Sequence, residues 1–424
     1  MKKLSTRALA VAIAVGSAAG VTVSPVFAKE KQTGPRLGLA LVTAAQPADV
    51  ALQAGDVATA EPLVAQVETL ATLDTERYVA AALRYRLESI RLGRGVAGTR
   101  QDQTALVRAL DALIANPHTP RSDKARFTYQ RAQMAYAGRQ YPVAIDYLAR
   151  SRELGLTDGD VALTAVRAKL DSGDVTGATA ELDAIIAAQS AAGSKVPVDY
   201  YRLAIARANK AQLAPVTVAW MNRYASAYPA VETWYEVLVT YGLQQGGVAQ
   251  LDPGQKVDVY RLLRASGGLP DEYFYLDYVR TAQAARFPQE AQAVLKEGIA
   301  KGRIPAASAE VKGLQVGLTR ALAAEGSLAS LETRANAAAT GTIAAQAADA
   351  QLGAGNFAKA ATLYRTALQK GGVDADAINT RLGIALARSG DKPGAQAAFA
   401  LVKTGSRAEI ASFWTTWLTT TPSA

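Results

Sequence analysis

The sequence has no cysteine and a single histidine, His118, and only 7% of its residues are aromatic. Without thiols there is no disulfide, no thiolate nucleophile and no cysteine for a lipid anchor. One imidazole excludes a zinc site built on His and Cys, and makes a Ser-His-Asp triad implausible. His118 follows Asn116-Pro117, so it reads as an exposed turn residue. Neither G-x-S-x-G nor G-x-x-x-x-G-K occurs, which removes nucleophile elbows and Walker-type phosphate loops. One S-x-x-K is present, Ser389 with Lys392, but Ser389-Gly390-Asp391 ends one helix and Pro393 starts the next, so the match is a turn. Acidic pairs such as Asp271-Glu272 and Asp374 with Asp376 fall at expected helix starts, where they favour the positive end of the helix dipole. No cofactor, no metal and no catalytic residue is expected.

What is present begins with a leader. Lys2, Lys3 and Arg7 precede an Ala/Val-rich run from about Ala8 to Val23, and Val26-Phe27-Ala28 offers small residues for cleavage. Residues 1–28 are therefore expected to be a signal peptide, and the protein periplasmic or secreted; the alternative is an uncleaved N-terminal anchor, since the apolar run approaches the lower limit of a membrane span. No later run is long and apolar enough to span a membrane. The formal charge is +9; removing the leader's three basic residues from +9 leaves +6, which is mild for the rest of the chain. No dense Lys/Arg block tracks phosphates, so nucleic acid is not an expected partner. Half the residues are hydrophobic, with alanine foremost, which suits close-packed helices.

One pattern recurs. Ala360, Tyr364 and Ala367 follow Gly355-Asn356; Ala395, Phe399 and Val402 follow Ser389-Gly390-Asp391, 35 residues later. Spacing of i, i+4 and i+7 puts each triplet on one helix face. Ala60, Val64 and Val67 follow Gly55-Asp56, and Ala105, Ala109 and Ala112 precede Pro117. Ala144, Leu148 and Ser151 match Ala178, Leu182 and Ile185 at 34 residues in all three positions, and Ala291, Leu295 and Gly298 make a later stripe. Partner helices lie between the stripes, for example over 76–92, 124–137 and 160–171. Trp234, Val237, Leu238 and Tyr241 give W-x2-L-x3-Y, with Leu where glycine is usual.

These residues resemble the tetratricopeptide repeat, whose pattern of about 34 residues runs W-x2-L-G-x2-Y, then A-x3-F, then P. The resemblance implies an all-α, right-handed superhelical solenoid of about ten antiparallel helix pairs. The expected organisation is a flexible lead-in over 29–47, an N-terminal solenoid over 48–265, and a C-terminal solenoid over 270–404. The break is placed at the Gly/Pro-rich loops 246–254 and 266–270. Residues 306–339 carry few bulky anchors and are expected to pack most weakly. Ile410, Phe413, Trp414, Trp417 and Leu418 make one face of a helix over about 407–419, a cap for the last repeat, with 405–424 as cap and tail.

In the repeat family the first helix of each pair lines a concave groove. That implies an inward face of Arg126, Tyr129, Gln130, Gln133 and Tyr136, followed by Asp160, Leu163, Thr164, Arg167 and Leu170. Tyr235 and Glu236, then Tyr273, Asp277 and Arg280, continue it. Tyrosine supplies contact area with few rotors and arginine supplies directional donors; the alternative for each tyrosine is inter-helix packing. Arg77, Arg84 and Arg91 fall seven apart, and Glu88 beside Arg84 suggests a solvated face. The expected function is a non-catalytic exported scaffold binding another envelope protein or an extended peptide. The alternative is a carbohydrate-binding accessory in envelope or polysaccharide export, with groove tyrosines stacking on sugar rings.

Overall fold

A computed structural model describes residues 37–93, 102–157 and 159–420. The expected leader lies outside them, as do residues 29–36 of the lead-in. Among the described residues every regular element is helical. In chain order they form ten successive pairs and a last single helix. The first four pairs are α1 (Leu39–Gln53) with α2 (Val57–Leu70), α3 (Asp74–Gly93) with α4 (Thr104–Ala115), α5 (Arg121–Ala137) with α6 (Tyr141–Glu153), and α7 (Gly159–Ser172) with α8 (Val175–Ala191). They belong to a compact unit that ends at Ser194.

A second unit begins at Lys195. It holds α9 (Val198–Lys210) with α10 (Ala214–Ala227), and α11 (Val231–Leu238), which runs into a π-helical turn (Val239–Leu243) before α12 (Pro253–Ala265). Then come α13 (Glu272–Ala284) with α14 (Pro288–Ala300), α15 (Ala309–Glu325) with α16 (Leu328–Ala337), α17 (Gly341–Gly353) with α18 (Phe357–Lys370), and α19 (Ala375–Ser389) with α20 (Lys392–Ala400). The single helix α21 (Gly405–Thr420) follows.

The pairing follows from a local grammar. A glycine at positive φ ends one helix and the next residue caps the following one: Gly55 with Asp56, Gly173 with Asp174 and Gly390 with Asp391. Each aspartate accepts an N–H of the first turn of the helix it opens, satisfying a donor that the helix itself leaves unpaired. The stripes then face inward. Ala60, Val64 and Val67 are buried, as are Ala144, Leu148 and Ser151, and Ala291, Leu295 and Gly298. Ala178 and Leu182 are buried, whereas Ile185 is half-buried.

Two expectations about the first unit are corrected. In α4 the stripe is shifted: Ala112 is exposed, and Leu106, Ala109, Leu110 and Leu113 are buried. The alanine spacing was right for a face, but the leucines one residue on remove more apolar area from water and set the rotation. Arg84 does not lie on a solvated face, whereas Arg91 is exposed as expected yet still engaged across the helices. Arg84 pairs with Glu61 and Glu68 of α2 and with Glu88, and Arg91 pairs with Glu61 and Glu88, so the cations clamp α3 to α2. Arg77 pairs only with Asp74 at the exposed start of its own helix.

The lead-in also ends sooner than expected. α1 starts at Leu39 and buries Leu41, Ala44, Ala45, Ala48 and Leu52, a helical spacing that continues through Pro47. Its start is held by Glu76, which accepts the N–H groups of Gly38, Thr72 and Leu73. Those three donors, Leu73 foremost, hold the Glu76 carboxyl down at about 2, against an ordinary value of 4.5. A depressed folded pKa means this stabilisation is present above pH 4.5 and is lost as pH falls toward 2. In Glu76→Gln, acid unfolding of the first unit, followed by circular dichroism, should lose part of its steepness in that window.

In the second unit the stripes that begin in α18 and α20 are buried at all six positions, with Val402 two residues past the end of α20. Gly383 in α19 shows why the pattern asks for a small residue: a Cβ there would come within 2.4 Å of Cε1 of the Phe399 ring. Gly383→Ala should cost about 1–3 kcal/mol by overpacking, seen as a lower Tm. The stretch 306–339 packs thinly, as expected: α15 buries only Val311 and Leu318, and α16 only Leu331 and Ala335.

α21 does more than cover the last pair. It packs on α19 and α20, and also on α10 and α12. Asn222 of α10 donates to Ser412 and accepts from Thr416, and Tyr241 donates to Glu409. The second unit therefore closes on itself instead of ending on an open side. The break expected at 246–270 falls inside this unit, because α12 and α13 share a stacked Tyr260–Tyr278 pair with centroids 4.7 Å apart. The units part instead near Gly193, where φ is +69° and Pro197 follows.

Candidate binding face and buried charge network

In the first unit the first helices of successive pairs, α3, α5 and α7, are joined by side chains that cross from one to the next. Tyr85 donates to Gln130 at 2.7 Å, Tyr129 meets the Thr164 hydroxyl at 3.4 Å, and Tyr136 donates to Asp171 at 2.7 Å. The last two links both span 35 residues, the repeat period itself. They bring Tyr129, Tyr136 and Thr164 together on one face, as the repeat register implied. Arg126, Gln133 and Arg167 stand exposed on the same helices. Tyr129 and Tyr136 are half-buried, so each serves partly as the inter-helix packing weighed above. Burial first, and then its bond to Asp171, push the Tyr136 hydroxyl up, so it remains a neutral donor.

The candidates of the second unit are differently placed. Tyr235 sits edge-on to Phe274 at 5.4 Å, and Tyr273 lies against the same ring at 5.3 Å while remaining 62% exposed. Asp277 accepts from Lys256 at 2.8 Å and from Tyr260, which ties α13 to α12. Arg280 pairs with Glu310 and ties α13 to α15. These two charges hold helices together; Tyr273 is the candidate that presents a ring to solvent. Glu236 accepts from Arg202 and Tyr224 beside a cavity of about 440 Å³ that also meets Thr240 of the π-helical turn. The extra residue of a π turn bulges the helix, a feature frequent at functional sites.

Sequence reasoning assigned no helix to the stretch between the two Gly/Pro-rich loops, where the structure has α12. It carries the centre of a buried ionic network. Arg261 donates to Glu290 through Nε at 2.9 Å and through Nη2, and to Asp258 through Nη1 at 2.7 Å. Asp258 also accepts from Arg407 of α21 at 3.0 Å. Tyr278 donates to Glu290, and Tyr364 donates to Asp349, which pairs with Arg381 at 3.1 Å. Burial pushes the Glu290 carboxyl up, but Arg261 outweighs it and holds the group below its ordinary value. Burial raises the Asp349 carboxyl, and Arg381 offsets only part of that rise.

Among the described residues no group of three or more acidic residues or histidines is placed to hold a metal ion. Gly93 to Gly98 spell G-x-G-x-x-G, a match that follows helix α3. The dinucleotide fingerprint follows a strand, and among the described residues there is none. His118 is exposed in its turn. No protein-family model matches the chain, and no curated protein does. Among solved structures the chain is similar to a pentatricopeptide repeat protein from maize, at 16% identity and a TM-score of 0.28. The match covers 86% of this chain and 53% of that one, so this chain spans about half the length of the maize protein.

Proposed function

We propose that the protein is a non-catalytic, exported helical-repeat scaffold that binds an extended segment of another envelope protein along the face of α5 and α7. The observation that carries this reading is the side-by-side placement of the two helices, with Tyr129 bonded to Thr164 and Tyr136 to Asp171. Those bonds fix the tyrosines, so little rotamer freedom is left to lose on binding. Exposed Arg126, Gln133 and Arg167 beside them offer donors to the backbone carbonyls and side chains of a segment laid across both helices. The leader at 1–28 supports export, and N-terminal sequencing of the mature protein is expected to begin at Lys29.

The test is capture from an envelope extract with the purified full chain and with Gln133→Ala plus Arg167→Ala. Both side chains are exposed, so Tm should hold within about 2 °C, since surface changes usually stay within ±0.5 kcal/mol. One protein should be captured by the parent and lost, by about tenfold or more, from the double variant. Equal capture by both would remove the face from the account, and copurification of a glycan in place of a protein would favour the carbohydrate reading.

A further inference from the structure

A cavity of about 100 Å³ opens among α12, α14, α17, α18 and α19. Three guanidiniums line it, from Arg261, Arg264 and Arg388, against the one carboxylate of Glu290. Two of the three are already balanced. Arg261 lies between Asp258 and Glu290, and Arg264 pairs with Glu297 at 2.5 Å. Counted through the network, Arg261, Arg381 and Arg407 face Asp258, Glu290 and Asp349, three cations to three anions. Arg388 is the remainder. Among the described residues its guanidinium forms no ion pair or hydrogen bond; it lies over the face of Phe357, 5.1 Å from the ring centroid, and feels Glu290 and Glu297, already engaged by Arg261 and Arg264, only at longer range.

A half-buried guanidinium with five N–H donors and no acceptor is costly unless something supplies one. We propose that this cavity binds a small organic monoanion, its carboxylate held by Arg388 beside Arg264 and its short apolar body against Leu352, Phe357 and Ile384. The charge count selects the class: one unbalanced cation is matched by one negative charge, whereas a phosphate dianion would bring a second charge toward Glu290. A planar two-oxygen acceptor also fits the guanidinium fork. The volume admits a short-chain acid and no polymer. Burial, and then the neighbouring Arg264, lower the pKa of Arg388, the direction a bound anion would reverse. This site lies within the second unit and is independent of the α5–α7 face.

The probes are butyrate, inorganic phosphate and chloride at constant ionic strength, with the purified full chain and Tm as readout, followed by calorimetric titration. Butyrate should raise Tm saturably, as a ligand of the folded state does, and chloride should not. Arg388→Gln should weaken the apparent butyrate affinity by about tenfold or more. Ala293→Leu, which adds bulk at the cavity wall and leaves every charge in place, should do the same and decides the matter if Arg388→Gln fails to fold. No saturable response in the parent, an unchanged response in the folded variants, or a larger response to phosphate than to butyrate would overturn the proposal.

Discussion

Arg261→Ala is expected to destabilise the second unit by about 3–5 kcal/mol, because it leaves buried carboxylates without their cation. Asp258, whose side chain is fully enclosed, would retain Arg407 and the more distant Arg381. Glu290 would retain only the Tyr278 hydroxyl as a direct partner. For a unit of this size such a loss lowers Tm by roughly 6 to 20 °C. The variant should also reverse the sign of the pH response. In the parent the depressed Glu290 pKa contributes stability that is present above its ordinary 4.5 and lost as pH falls. Without Arg261, the burial that is the largest influence on Glu290 is opposed only by the Tyr278 hydroxyl and the neighbouring Arg264, so the pKa rises, acidification relieves the buried charge and part of the lost Tm should return. Melts at neutral and mildly acidic pH, read by circular dichroism, check both effects.

Phe399→Ala and Tyr364→Ala are each expected to cost about 3–5 kcal/mol, the range for removing a buried aromatic anchor. Phe399 fills the space left by Gly383 and stacks on Trp414 of α21 at 6.3 Å. Its loss therefore opens a cavity at the joint between the last pair and the closing helix. Tyr364 adds a second penalty, since its hydroxyl donates to the buried Asp349 at 2.6 Å. Tyr364→Phe separates the two contributions: it keeps the ring and removes one bond to a charged acceptor that retains Arg381, and should cost about 1.5–3 kcal/mol. Urea denaturation with unchanged m-values would measure these differences directly. A shift near zero for both alanine variants would mean that the repeat register is wrong.

The fold was legible wherever a local signal coincided with a packing demand. Gly55-Asp56, Gly173-Asp174 and Gly390-Asp391 each spell a helix end and the next helix start, and the triplets after them carry the inward face. α4 shows the limit of this reading, because alanine and leucine both fit a helical stripe and only the neighbouring helices decide between them. α12 was hidden for a related reason: Asp258 and Arg261 look like surface residues until Glu290 and Arg407, distant in sequence, enclose them. The closure of the second unit by α21 was invisible too, since Asn222 and Thr416 meet across 194 residues. Of the candidate site, the α5–α7 face followed from repeat position. Asp277 and Arg280 have helix-joining partners that no periodicity encodes.

The most direct test of the scaffold reading is photo-crosslinking in intact cells at native expression, from a reactive residue placed at Gln133 or Arg167. The account predicts that both positions capture the same single envelope protein, and that an equivalent probe at exposed Lys312 on α15 does not. Crosslinks equally frequent from all three positions, or capture of no protein from Gln133 and Arg167, would contradict it.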